Sequence, residues 1–202
     1  MDTKKDHFAN KAKEYDKEVK RVGNVSRIAD LILKEVNLTK EMSIMDFGSG
    51  TGLLLERIAS HVGKITAVDI SKSMNEVLES KRCNLPCELE ISELDLSISN
   101  LDKKFDGIIS SMTLHHIEDT KALFDKLYNM LDDGASIALA DLDTENGSFH
   151  TEDTGVYHFG FDRDWIVNIA RNTGFKNIKI QTVANIEKSH GKYPIFLLTA
   201  KK

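Results

Sequence analysis

Three glycines at alternate positions, Gly48, Gly50 and Gly52, follow an acid, Asp46, in the stretch IMDFGSGTGLLLERIA (44–59). Such a run lets a backbone approach a ligand closely, because glycine has no Cβ in the way. Further acids stand at Asp69 in AVDIS and Asp95 in ELDL. Hydroxyls and imidazoles cluster in SSMTLHHIED, with Ser110, Ser111, His115 and His116, and again in YHFGFDRDWI, with Tyr157 and His158. A carboxylate ending a strand can accept hydrogen bonds from two hydroxyls. An imidazole beside a reacting centre can take a proton. The two common phosphate cradles fit badly. A dinucleotide fingerprint sets its third glycine inside the helix, whereas leucines 53–55 follow the run here; a P-loop needs a Lys after its last glycine, and none follows.

These residues need elements to hold them. Apolar spacing predicts helices over 24–36, 51–61, 71–82, 119–131 and 162–173. Ser71 or Ser73 is a natural N-cap for the third of these, DDG (132–134) ends the fourth, and Gly174 ends the fifth. Short β-branched or apolar runs predict strands at 43–47, 65–68, 87–91, 105–110, 136–140, 176–183 and 193–200. Strand and helix alternate through the first five strands, which is the signature of a parallel α/β sheet. The last two strands are joined by EKSHGKYP, too short for a parallel crossover, so the final strand runs against the others. In such a sheet a ligand sits beyond the carboxyl ends of the strands, and the glycine run lies there.

Composition narrows the class. The chain has 202 residues, 41% apolar and 29% charged, with a net charge of −5. This is a globular composition for a single domain, 1–202. No apolar run approaches the roughly 20 residues needed to cross a bilayer. The polar start reads as neither signal peptide nor anchor, so a cytoplasmic protein without a membrane partner is expected. Lysines are interleaved with acids, as in DKKFD, which disfavours a nucleic-acid footprint. Cys83 and Cys87 have no nearby Cys or His partners, so no metal site is expected.

The stretch D-F-G-S-G-T-G resembles the first motif of class I S-adenosylmethionine (SAM) dependent methyltransferases, Asp/Glu-x-G-x-G-x-G. SAM carries a positive ammonium and sulfonium, so an acid such as Asp46 nearby is favourable. Asp69-Ile70-Ser71, ELDL, SSMTLHH and LDDGASIALADLD resemble the later stations of that family, over about 40–202. The resemblance implies a Rossmann-like fold with a seven-stranded, mostly parallel sheet of order 3-2-1-4-5-7-6 and helices on both faces. It implies that Asp46, Gly48, Ser49, Gly50 and Gly52 hold the methionine part of SAM, with Ser110 and Ser111 close by. Asp69 and Ile70 would meet the ribose side. Met74, Asp95 and Leu96 would meet the adenosine. Residues 1–38 would form a helical lid, from which Tyr15 reaches the cofactor. The product would be S-adenosylhomocysteine (SAH).

Methyl transfer from a sulfonium is an in-line displacement that gains from alignment and exclusion of water. A base is needed only when the acceptor must lose a proton. His115, His116 and His158 are the candidates for a catalytic role. In relatives the second His of LHH recurs across specificities, which implies a scaffold role for His116. The irregular 143–160 segment is the expected acceptor-side loop. No Asn/Asp-Pro-Pro-Tyr/Phe element follows the fourth strand, so a nucleobase acceptor is not expected. The expectation is methylation at O, N or S of a small molecule, by a monomer or homodimer. A SAM-binding regulatory or partner subunit without transfer is the alternative, and a nucleotide-dependent oxidoreductase fits less well.

Overall fold

The computed structural model describes residue 6, residue 9, residues 11–152 and residues 154–202. Twelve main elements follow in chain order. They are α1 (Val19–Glu35), β1 (Ser43–Phe47), α2 (Leu53–Ile58), β2 (Lys64–Asp69), α3 (Lys72–Lys81) and β3 (Glu88–Glu93). Then come β4 (Phe105–Ser111), α4 (Thr120–Met130), β5 (Leu131–Leu142), α5 (Arg163–Thr173), β6 (Lys176–Lys188) and β7 (Gly191–Lys201). The strands form one sheet of order β3-β2-β1-β4-β5-β7-β6. Pairing is parallel from β3 through β5, and β7 is antiparallel to both β5 and β6. The expected order and the reversed last strand are both present.

The period of two along the strands splits the core between two faces. In β1, Ile44 packs on one face while Met45 and Phe47 pack on the other. In β7, Ile195 and Leu197 face one way, and Phe196 and Leu198 the other. Helices α1, α2 and α3 cover the first face with Ile28, Ile32, Leu55, Ile58 and Leu78. Helices α4 and α5 cover the second with Leu123, Phe124, Leu127 and Ile166. Coverage of both faces is why these strands read as near-continuous apolar runs. Ser71 is the N-cap of α3, its Oγ accepting from the Met74 N–H at 3.2 Å.

Several boundaries differ from expectation. Helix α1 begins at Val19, before residue 24, because its first turn is solvated and carries no apolar stripe; Val19 is 83% exposed. Residues 12–17 form a 3-10 helix where the resemblance implied an α-helical segment. Strand β5 starts at Leu131: Asp132, Asp133 and Gly134 lie in an irregularity of the β4 pairing, not in a turn before the strand. Strands β6 and β7 run on to Lys188 and Gly191, so only Ser189 and His190 connect them. That long ribbon reaches past the carboxyl end of β5, where the site lies.

Candidate functional site

Strand β1 pairs with β2 on one side and β4 on the other, which makes the carboxyl end of β1 the topological switch point. Two adjoining cavities open there, of about 420 and 310 Å³. They share Tyr15, Gly48, Gly50, Ser111, Met112 and His116, so they form one cleft.

The glycine run is held from behind. Gly48 and Ser49 donate their N–H groups to the Val68 carbonyl of β2, at 2.8 and 3.3 Å. Gly50 N–H donates to Asp69 Oδ2 at 2.8 Å, and Ser71 N–H donates to Asp69 Oδ1 at 2.8 Å. Asp69 thus fastens the loop to the end of β2 and keeps lone pairs for a ligand, since a carboxylate offers about four acceptor positions. Burial pushes its carboxyl above the usual range, against the backbone N–H groups of Ser71, Gly50 and Ile70, which lower it. Gly50 has a positive φ of +53°, and a Cβ built there meets no atom within 4 Å. The loop therefore presents bare backbone to the cleft at this position.

The smaller cavity collects Asp69, Ile70, Met74, Asp95 and Leu96. Ile70 is half exposed, while Met74 and Leu96 are buried. This is an apolar slot with an acid at its rim. Asp95 turns Oδ1 onto its own loop, accepting from Ser97 N–H at 2.9 Å and Ser97 Oγ–H at 2.5 Å. Asp6 also reaches this cavity and accepts from Ser71 Oγ and Ser73 Oγ, at 2.9 and 2.8 Å.

The larger cavity collects Asp46, Ser49, Ser111, His115, His116 and His150 with Arg21, Phe149 and Lys188. Asp46 is 1% exposed, and its Oδ2 has no partner among the described residues. Burial, reinforced by the charge of Asp69, pushes its carboxyl up to about 8. Ser49 Oγ, Ser111 Oγ and His150 Nε2 are likewise buried and unpartnered among the described residues. Such groups each cost about 1–3 kcal/mol when left unsatisfied, so four in one cavity mark a place built to meet a polar ligand. An ammonium beside Asp46, with acceptors for the serine hydroxyls, satisfies them. The donor set fits SAM, whose cation suits the acid and whose diol suits Asp69.

His115 is 1% exposed and its Nδ1 lies 2.7 Å from Oδ1 of the fully buried Asp141. His116 Nδ1 lies 3.2 Å from the Gly155 carbonyl. The His115 ring centroid is 4.4 Å from that of His116 and 5.2 Å from that of His150. Burial, helped by His115, His116 and Lys188, lowers His150 to about 4. Among the described residues, no group of His, Cys, Asp and Glu is arranged to hold a metal ion.

The cleft gathers most of the residues singled out in the sequence, with three exceptions. Ser110 points away and donates to the Phe47 carbonyl at 2.6 Å, tying β4 to β1. Gly52 lies behind the loop against Leu78, and a Cβ there would come within 2.5 Å of Leu78 Cδ1. His158 does not line either cavity; its Nε2 sits 2.9 Å from the Ile117 carbonyl and its ring packs on Phe161. His158 braces the turn after the second histidine. His150, in the irregular 143–160 segment, and Asp141, at the end of the fifth strand, are given no role from the sequence. Asp141 carried a signal, as an acid closing the fifth strand.

The N-terminal segment crosses the cleft. Thr51 Oγ donates to Asp16 at 2.5 Å, Lys81 pairs with Asp16 at 2.6 Å, and Lys11 pairs with Glu152 of the 143–160 loop at 2.7 Å. Tyr15 lies between the two cavities beneath Arg21, whose guanidinium carbon is 3.8 Å from the ring centroid. Burial raises the Tyr15 phenol above its usual value.

Two of the shifted groups, Asp46 and His150, have measurable consequences. Free Asp46 is protonated at neutral pH, and a cation beside it favours the carboxylate. SAM bound with its cation beside Asp46 should therefore release a proton, so its enthalpy should depend on the buffer and its affinity should rise as pH climbs towards about 8. Asp46→Asn removes the buffer dependence. For His150, the unfolded chain takes up a proton near 6.5 and the folded chain only near 4. Its contribution to stability is complete above that window and is lost as pH falls through it. Melting temperatures of His150→Gln should fall less than those of the native chain over the same acid range.

The sequence pattern of the methyltransferase-domain family matches residues 15–180. An uncharacterized methyltransferase of Schizosaccharomyces pombe is 30% identical over 172 residues, covering 75% of this chain and 60% of that protein. A malonyl-(acyl-carrier protein) O-methyltransferase of Ilyobacter polytropus is 35% identical over 103 residues, covering 50% of this chain and 38% of that one. The chain thus spans less than two thirds of either relative's length. Among solved structures, the DhpI–SAH complex superposes with a TM-score of 0.75 at 18% identity, over 96% of this chain and 92% of that one. With the sheet order, the glycine loop and the acid-lined cleft, these matches show that the chain belongs to the class I SAM-dependent methyltransferases.

Proposed function

We propose that the chain transfers a methyl group from SAM to an oxygen, nitrogen or sulfur atom of a small molecule. The observation that carries this reading is the single cleft at the switch point. Asp69 and the loop backbone lie on one side of it. Asp46, two serines whose hydroxyls have no partner among the described residues, and three histidines lie on the other. Asp69 would hold the ribose, Ile70, Met74 and Leu96 the adenine, and Asp46, Ser49 and Ser111 the methionine end. The bound cofactor supplies an electrophilic methyl on a positively charged sulfur. The rest of the task falls to this chain: it orients the acceptor in the larger cavity and keeps water out. The lid is the described part of the 1–38 region, residues 11–38, with Asp16 and Lys11 pinning it down, while residues 1–5, 7, 8 and 10 of that expected lid lie outside the described residues; the described part of 143–160 walls the acceptor side.

The test is incubation with methyl-labelled SAM and a cell metabolite extract, followed by mass spectrometry. The expected result is label in a small molecule, produced by the native chain and not by Asp69→Ala. SAM bound without transfer to any component would make the chain a binding protein instead.

A further inference from the structure

We propose that the acceptor is a phenolic or enolic hydroxyl, and that His115 takes its proton while Asp141 holds the ring for the task. This rests on the SAM-dependent reading above and goes beyond it, by naming the acceptor atom and a positioning residue.

Asp141 closes β5 and is fully buried. Its carboxylate accepts from Leu142 N–H at 2.7 Å and His115 N–H at 3.3 Å, and meets His115 Nδ1 at 2.7 Å. A carboxylate only accepts, so Nδ1 carries the hydrogen, and in the neutral ring Nε2 keeps the lone pair. No bond to that Nε2 exists among the described residues, and His115 lines the larger cavity. This is the arrangement in which a carboxylate fixes the tautomer of an imidazole base and balances the imidazolium that forms. His116 turns its Nδ1 to the Gly155 carbonyl, 3.2 Å away. His158 braces a turn outside the cleft. Among the described residues, Asp141 from β5, His116 from its own turn and His150 from the loop stand against His115.

The class of acceptor follows from what a base is for. Carboxylates and thioethers attack without losing a proton. Thiols ionise near about 8.5 and gain less from an imidazole than phenols, near about 10. The lining mixes four acids, Asp46 among them, with four Lys or Arg side chains, so its charge does not select an ammonium acceptor, and a neutral amine attacks through its own lone pair before it loses a proton. In the step, the hydroxyl oxygen forms a bond to the methyl carbon as the carbon–sulfur bond breaks. That electron pair stays on sulfur. The oxygen's proton moves to His115 Nε2 and later to solvent.

The test uses the full chain with methyl-labelled SAM, the metabolite extract, and catechol, umbelliferone, benzoate, thiophenol and aniline as added probes. Two variants are compared, His115→Asn, whose amide can still donate to Asp141, and Asp141→Asn, which keeps the shape and loses the charge. The expected products are aryl or enol methyl ethers. Each variant lowers kcat by about a hundredfold or more, with SAM affinity by calorimetry within about twofold of native. The acid limb of the kcat–pH profile disappears in His115→Asn and shifts in Asp141→Asn. Nitrogen-labelled histidine provides a second readout: His115 shows an Nδ1-bound proton in the native chain and loses that preference in Asp141→Asn.

A methylated amine, a thioether or a carboxylic ester as the only product overturns the proposal. So do variants with native rates, or a His115 ring protonated at Nε2. If the native chain binds SAM and methylates another atom type, only this proposal falls. If it binds no SAM, the reading beneath it falls as well.

Discussion

Asp69→Ala should weaken SAM binding by about a hundredfold or more, measured by calorimetry on the refolded-competent, purified chain. Two losses combine. The ribose hydroxyls lose a charged acceptor, and charge-assisted hydrogen bonds contribute about 1.5–3 kcal/mol each. The glycine loop also loses its fastening, because Gly50 N–H and Ser71 N–H both donate to this one carboxylate at 2.8 Å. Asp69→Asn keeps one acceptor oxygen and should fall between native and alanine. Native affinity in Asp69→Ala would mean that the cofactor lies elsewhere.

Alanine at Gly50 and alanine at Gly48 should fail in opposite ways. At Gly48, with φ +71°, a Cβ would stand 2.1 Å from Thr113 Oγ1 and 2.3 Å from its Cγ2. Thr113 is short and branched and has little room to retreat. Overpacking of about 1–3 kcal/mol adds to the left-handed backbone cost of about 1–2 kcal/mol, so Gly48→Ala should lower the melting temperature markedly. At Gly50 the backbone cost is similar, but no atom stands within 4 Å of the new methyl. The methyl instead occupies cleft that the cofactor needs. Gly50→Ala should stay folded, with a modest loss of melting temperature and a SAM affinity reduced by about tenfold or more. Native affinity in Gly50→Ala would contradict the assignment of this loop to the cofactor.

The cofactor side of the cleft was legible because it rests on short-range pattern. Asp46 and Asp69 lie in the last two residues of strands whose apolar runs announce them, the loop glycines follow the first of these, and parallel pairing sets the strand ends side by side. The reversed β7 followed from a connection too short to cross the sheet. The acceptor side was legible only in part, because long-range contacts decide it. Ser110 and Ser111 alternate across β4, so only one can face the cleft, and the register that chooses Ser111 is set by pairing with β1 and β5. His150 sits in a segment without periodicity. The return of the loop against β5, through Asp143 and Phe161, and the reach of Lys188 to the Phe149 carbonyl bring it inward. His158 is the candidate that the sequence offers in that segment, yet carbonyls at Ile117 and Glu118 claim it. The hold of Asp16 on Thr51 and Lys81 joins residues far apart in the chain, and nothing local foretells it.

The central claim is that this cleft binds SAM through Asp46 and Asp69. Calorimetric titration of the native chain with SAM, SAH and NAD, each in two buffers of different ionisation enthalpy, tests it most directly. The account predicts one SAM or SAH per chain, a buffer-dependent enthalpy that reports proton release, and no binding of NAD. Asp46→Asn should abolish the buffer dependence, and Asp69→Ala most of the affinity. Tight NAD binding, or SAM binding untouched by both substitutions, would contradict it.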